Sequence, residues 1–378
     1  MLLNAIFGSL AVLSLGLLLW QWAVARNFPL HQRLSASSVT PAVTLLKPLK
    51  GCDGATEGCL RSWLRQQYAG QVQILFGVAS ADDPVCAVVR KLLEEVQGSD
   101  ARLIICGPLQ GTNLKVSKLA EMERSARHEV LIISDADVRV PPDFLANVVA
   151  PLQRPEVGLV NCFYRLANPV TLAMQWEAVA VNADFWSQVL QAQSLKPLDF
   201  ALGAVMAVRR EQLQEIGGFE ALADCLADDY QLGNRIARRG HRIALCPVVV
   251  ECWSEPTGWG AVWKHQLRWA RTIRVCQALP YFFSILSNPT LWPWLWVLVN
   301  PARTVLAFGL GCALVRAATA ADLQARLAQA PMRVAFAWLA PVKDLLQTGI
   351  WLLAFAGNRI EWRGERMRLR RDGTLVKG

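Results

Sequence analysis

The stretch Val130-Leu131-Ile132-Ile133-Ser134-Asp135-Ala136-Asp137 joins four consecutive apolar residues to two carboxylates. A short apolar run closed by a turn-forming cluster reads as a buried strand. Similar runs recur at Val43–Leu46, Val72–Val78, Leu103–Cys106, Gly158–Cys162 and Ile243–Val250. Amphipathic stretches at 85–96, 114–127 and 209–216 lie between them. Strands alternating with helices predict a mostly parallel α/β sheet covered by helices on both faces. Ligands of such sheets bind beyond the carboxyl ends of the strands, so the residues just after each run carry the most information.

Those residues are acidic. Ala79-Ser80-Ala81-Asp82-Asp83-Pro84 follows one run and Ser134-Asp135-Ala136-Asp137 another. Leu226-Ala227-Asp228-Asp229-Tyr230 opens a helical pattern. Asp135 and Asp137 suit Mg²⁺ or Mn²⁺, hard cations that complete their shells with phosphate oxygens. They suit a solvated turn equally well. Asp228 and Asp229 suit helix N-capping, and they also suit general-base work, since adjacent carboxylates raise one another's pKa. Gly111-Thr112-Asn113-Leu114-Lys115 and Lys47-Pro48-Leu49-Lys50-Gly51 place lysines beside turns, where a phosphate can be held. His265-Gln266-Leu267-Arg268-Trp269 closes the region on a basic, aromatic helix. Arginine there fits a diphosphate, and the same helix fits an anionic membrane surface.

The rest of the chain points to a bilayer. Of 378 residues, 53% are hydrophobic and 18% charged, and the net charge is +9. Mean hydropathy is +0.26. A basic balance fits nucleic acid, anionic lipid or phosphorylated substrates. Fifteen Trp residues favour the lipid interface over nucleic acid. Residues 2–25 carry no charge, enough to cross about 30 Å of hydrocarbon. Arg26, His31 and Arg33 follow, which places the next domain in the cytoplasm. The ten cysteines contain no CxxC pair and read as buried free thiols of a reducing compartment.

The expected organisation is an anchor at 1–26, a catalytic domain at 40–275 with a membrane-facing helix at 260–278, membrane helices at 279–357 and a basic tail at 358–378. Seven bases face three acids from 359 to the end, which marks the tail as cytoplasmic. An even number of crossings must then follow residue 275, and they are expected near 285–312 and 332–356, with 316–330 outside. Lys343 and Asp344 fall inside the second span and must face protein or water.

Taken together, Lys-Pro-Leu-Lys-Gly, Asp-Asp-Pro, Gly-x-Asn-x-Lys, Asp-x-Asp-x-Arg-Val, Ala-Asp-Asp-Tyr and Arg-Trp, in this order, resemble the ceramide glucosyltransferase family, glycosyltransferase family 21. Trp362-Arg363 and Asp372-Gly373-Thr374 resemble that family's C-terminus. Gly217 to Asp224 and the His265 motif look closer to a bacterial branch that adds N-acetylglucosamine to bacteriohopanetetrol.

The resemblance implies a GT-A type domain in the bacterial inner membrane, a UDP-sugar donor, a lipid acceptor and a divalent cation. Asp83 would hold uridine, helped by Lys50, Asn113 and Lys115. Asp135 and Asp137 would meet the diphosphate through the cation. Gly203 and Ala204 would pass close to the sugar. Asp229, beside Asp228, would be the general base. Arg268 would face the leaving diphosphate and Trp269 the acceptor. His265 stands where the wider family has Gln or Arg. A processive polysaccharide synthase would share the carboxylates but needs more spans, and a non-catalytic lipid-binding protein would leave three ordered acidic clusters without a purpose.

Overall fold

The computed structural model describes residues 1–33, 40–96, 98–108, 110–330, 336, 338–362, 365–370 and 372–377. Its centre is an eight-stranded sheet: β1 (Val43–Pro48), β2 (Val72–Val78), β3 (Asp100–Ile105), β4 (Val130–Ser134), β5 (Val138–Arg139), β6 (Val157–Leu166), β7 (Val205–Arg209) and β8 (Arg242–Cys252). The spatial order is β3-β2-β1-β4-β7-β6-β8-β5. β3, β2, β1 and β4 run parallel, β7 runs against both β4 and β6, and β5 runs against β8. The expected strands are all present. Val205–Arg209 and Val138–Arg139 are additions that the apolar pattern did not separate from their neighbours.

The reversal of β7 builds the site. Its register pairs Ser134 with Val205, so β7 starts where β4 ends. The Asp135 N–H donates to the Ala204 carbonyl at 3.3 Å. One face of the sheet packs against Leu60, Trp63, Val89, Phe144 and Val148. The other packs against Leu119, Met122, Leu232 and Ile236 and against Val179, Ala183 and Trp186 of the helical segment 172–193. That second core continues into Ala25, Ala320, Leu323, Leu327 and Ala340, so the sheet domain and the apolar helices share one interior.

Among the described residues, two helices are long and apolar enough to cross a membrane, Leu2–Asn27 and Arg303–Ala328. Ala278–Ser287 and Leu291–Val299 form a pair bent by 54° that meets the same test together. Leu2–Asn27 and Arg303–Ala328 run side by side in the same direction. Asn4 accepts from Trp296 and Asn300 at one end, just before the second helix begins. At the other end the Trp22 indole donates to Asp322 at 2.8 Å, and Arg326 donates to the Arg26 carbonyl.

This arrangement shifts the expected spans. The break falls at 300–302, where Pro301 interrupts the chain, and 316–330 is mostly the end of a helix rather than a separate loop. Arg316 does not mark a span end, because it is buried against Asp184 at 2.8 Å and Asp344 at 2.9 Å. Lys343 joins the group at 2.7 Å from Asp184, so the charges inside the expected second span face protein. The helix Leu339–Phe355 has 17 residues and packs along Val262 and Ala270. Residues 332–335 and 337 of that span, and Arg363 and Arg371 of the tail, lie outside the described residues.

Candidate active site

Four loops meet at the carboxyl end of the parallel strands. The first follows β1. Lys50 is exposed there, and Gly51 adopts a left-handed φ of 67°. The Gly51 N–H donates to both Asp83 oxygens, at 2.9 and 3.1 Å, and the Val85 N–H donates to Asp83 at 3.0 Å. Asp83 therefore shapes the turn that presents Lys50.

The second loop is Gly111–Lys115. Asn113 is fully buried and caps the helix Leu114–Ser125, accepting from the Lys115 and Val116 N–H groups. Its amide donates to the Cys225 carbonyl at 2.8 Å and to Asp228 at 3.4 Å. Lys115 sits between Asp135 at 2.8 Å and Asp228 at 3.0 Å. Burial alone would lower its ammonium, but the two carboxylates outweigh that and hold it above the ordinary lysine range.

The third and fourth loops carry the acids. Asp137 is exposed, and desolvation by nearby protein atoms with the Asp135 charge pushes its carboxyl up to about 6. Asp228 and Asp229 form the first turn of the helix Asp228–Arg238. Desolvation and the Asp228 charge push Asp229 up to about 6. Asp229 Oδ1 accepts from the Tyr230 N–H at 2.8 Å, and Oδ2 lies against Gly203. A Cβ on Gly203 would stand 2.7 Å from that oxygen, and one on Gly233 would stand 2.3 Å from Ala201 N. Two glycines thus let the helix and the 199–204 loop close on each other. Ala204 is buried beside them.

The helix Trp259–Cys276 forms the far wall. His265 Nδ1 is 2.6 Å from Glu177 Oε1, and the Gln266 amide donates to the same oxygen at 2.9 Å. His265 stacks edge-on to Trp269, with ring centres 4.7 Å apart. Trp269 packs on Phe185 and Phe185 on Tyr164, at 5.9 and 5.6 Å. Burial pushes the Tyr164 hydroxyl up, and the charges of Asp229, Asp135 and Asp137 add to it. This aromatic run joins the basic wall to the acids. Arg268 lies half-buried on that wall. Arg271 and Arg274 turn away and bond to Arg359 and Asn358 of the tail.

The model of glycosyl transferase family 21 matches residues 6–375. The chain belongs to that family. Among its relatives, ceramide glucosyltransferase 3 of Caenorhabditis elegans is 24% identical over 220 residues, which is 58% of this chain and 48% of that protein. The ceramide glucosyltransferase of Candida albicans is 30% identical over 121 residues, 29% of this chain and 22% of that one. The chain spans about half the length, or less, of these curated relatives. Among solved structures, the mannosyltransferase PcManGT of Pyrobaculum calidifontis, in complex with GDP-Man and Mn2+, covers 91% of this chain and 99% of its own. Its TM-score is 0.53 at 22% identity, which shows the shared GT-A-like fold.

In this family 21 chain, Lys115, Asp135, Asp228 and Asn113 are directly bonded, and Asp229 joins them through the same turn. Among the described residues, no group of three or more His, Cys, Asp or Glu could by itself hold a metal ion. The expected pair Asp135 and Asp137 would leave most of a cation's shell to phosphate oxygens, and one Asp135 oxygen already faces Lys115 at 2.8 Å.

Two site residues, Glu177 and Tyr164, escape the sequence reading, which groups Lys47 with Lys50 among lysines able to hold a phosphate. Lys47 is fully buried, donating to the Asp135 carbonyl at 2.6 Å and to Ser134 Oγ at 3.2 Å, and desolvation lowers its ammonium to about 8. A lysine inside a β-branched run was the available signal. Glu177 and Tyr164 sit in apolar stretches far along the chain from their partners, and no local pattern marks them.

Proposed function

We propose that the chain is an inverting, membrane-bound transferase that moves a sugar from a UDP-sugar to a lipid hydroxyl, N-acetylglucosamine to bacteriohopanetetrol being the favoured pair. The observation that carries this reading is Asp229 Oδ2, a carboxylate oxygen held against Gly203 at the cleft and pushed up to about 6. A base must take the hydroxyl proton as oxygen attacks the anomeric carbon, and a carboxylate near neutrality does so efficiently. Asp228 is committed to Lys115 and Asn113, which leaves the base role to Asp229.

Asp83, Lys50, Asn113 and Lys115 form the donor side. Asp135 and Asp137 would hold Mg²⁺ or Mn²⁺, whose charge offsets that building on the diphosphate. Arg268 adds positive charge from the opposite wall, and Trp269 with its aromatic run lines the acceptor side. One displacement inverts the anomeric centre, so an α-linked donor yields a β-glycoside. On this reading the chain sits in the inner membrane of a bacterium with the sheet domain in the cytoplasm, and the long apolar helices beside the cleft support access for a lipid hydroxyl.

The names of the curated relatives, ceramide glucosyltransferases, favour ceramide and a glucosyl donor, for which UDP-glucose is the second proposed pair. The test is a mass-spectrometric product assay on membranes containing the chain, with each donor offered against each lipid. A hopanoid carrying one N-acetylhexosamine supports the favoured pair. A hexosylceramide alone moves the reading to the second pair. No glycosylated lipid in any combination overturns it.

A further inference from the structure

The C-terminal residues form a three-stranded antiparallel sheet, β9 (Arg359–Trp362), β10 (Glu365–Leu369) and β11 (Leu375–Lys377), in the order β11-β10-β9. This small sheet does not hang free. Ile360, Met367, Leu369 and Leu375 bury their side chains against Leu226, with Val275 packed beside them. Leu226 stands three residues before Asp229 on one wall of the cleft, and Val275 lies in the last turn of the helix that forms the other wall.

Backbone bonds fasten the same place. The Leu375 N–H donates to the Asp224 carbonyl at 2.8 Å, and the Leu226 N–H donates to the Gly373 carbonyl at 3.2 Å. Cys225 and Thr374 pair as an antiparallel bridge between these bonds. On its other side, the 223–226 segment is held by the phosphate-side loop. Asp224 accepts from the Thr112 N–H at 2.9 Å and its hydroxyl at 3.1 Å, and the Asn113 N–H donates to the Ala223 carbonyl at 2.8 Å. Gly111, with φ of 81°, lies so close to Ala223 that a Cβ would stand 2.7 Å from its carbonyl oxygen.

The tail also grips the basic helix. Arg271 donates to the Arg359 carbonyl, Arg274 to the Asn358 amide oxygen, and Lys264 pairs with Glu361 at 3.0 Å. The tail thus touches the turn that leads into Asp228 and Asp229 and also the helix that carries His265, Arg268 and Trp269.

We infer that the tail, through Asn358–Glu361, Met367, Leu369 and Gly373–Leu375, is a positioning clasp of the active site, setting the Asp224–Asp229 turn against the Trp259–Cys276 helix, with Leu375 as its central residue. Leu375 touches no reacting atom and acts through Asp224 and Leu226. The inference rests on the transferase reading for its kinetic consequence and on geometry alone for its structural one.

The test uses the full chain in detergent or lipid discs, with Leu375→Asp, the milder Leu375→Ala, and Arg368→Ala as an exposed control on β10. Amide hydrogen exchange is read alongside kcat and donor KM. For Leu375→Asp, exchange at 224–229 and 111–113 should rise at least tenfold while β1, β2 and β4 are unchanged. The same variant should lose at least tenfold in kcat with donor KM within threefold, Leu375→Ala should show the same pattern at smaller size, and Arg368→Ala should match the parent. Unchanged exchange at 224–229 overturns the clasp, as does a rise spread over the whole sheet in both Leu375 variants or a kcat kept within twofold. A parent chain that transfers no sugar defeats the transferase reading, and the exchange pattern still decides the clasp.

Discussion

Asp229 balances two demands. Ionised, it costs stability, because burial and Asp228 push its carboxyl up to about 6 from an ordinary value of 3.8. Protonated, it cannot accept the acceptor's proton. At saturating Mg²⁺, kcat should therefore fall as pH drops through about 6. Asp229→Asn should lose about 10²–10⁴-fold in kcat at pH 7.5, the range for removal of a general base. A loss of that size in Asp228→Asn with near-parental turnover in Asp229→Asn would assign the base to Asp228. The linkage has a definite sign. A folded-state pKa above the unfolded one means that the ionised group destabilises the fold above about pH 6, and the cost disappears below about pH 4. Asp229→Asn should thus melt at or above the parental temperature at pH 7.5, with the two curves meeting in acid. The acidic pairs were legible because each follows an apolar run directly. Glu177 was not, because its partner His265 is 88 residues away and it is the one charge in a mostly apolar helix.

Close approach between elements sets the geometry of the site. Gly203 was singled out from family resemblance, and its physical reason is the contact with Asp229 Oδ2. Gly203→Ala should force that carboxylate aside and lower kcat at least tenfold, since misplacement by about 1 Å costs rate steeply. UDP affinity should stay within twofold, as calorimetric titration would show. Asn113→Ala removes a helix cap and strands the buried Cys225 carbonyl. Together these should cost about 2–3 kcal/mol, read from the unfolding midpoint. The helix start at Asn113 was expected from its pattern, but its bond to Cys225, 112 residues away, was not. The antiparallel β7 was also missed. Val-Met-Ala-Val runs straight into the helix that begins at Arg210, so no turn residue separates the two periods.

The whole molecule depends on a buried charge group at the junction of its two parts. Asp184 comes from the helical segment of the sheet domain, Arg316 from the long apolar helix Arg303–Ala328, and Lys343 and Asp344 from the helix after it. Arg316→Ala would leave two carboxylates short of a partner and should destabilise the chain by about 3–5 kcal/mol. An unchanged unfolding midpoint in detergent would refute that role. Charge alone leads to the expectation of an even number of crossings after residue 275, and it does not choose the helices. Arg316 and Asp322 read as a polar exterior in a linear chain, and only the fold brings them to Asp184 and Trp22.

The most direct test of the account is the anomeric configuration of the glycolipid made by the purified chain in lipid discs from an α-linked UDP-sugar. The proton coupling at the anomeric carbon, read by NMR, distinguishes the two forms. A single β-linked sugar on the lipid hydroxyl is the predicted result, as one displacement assisted by Asp229 requires. An α-linked product, or a growing polymer in place of a single addition, would contradict it.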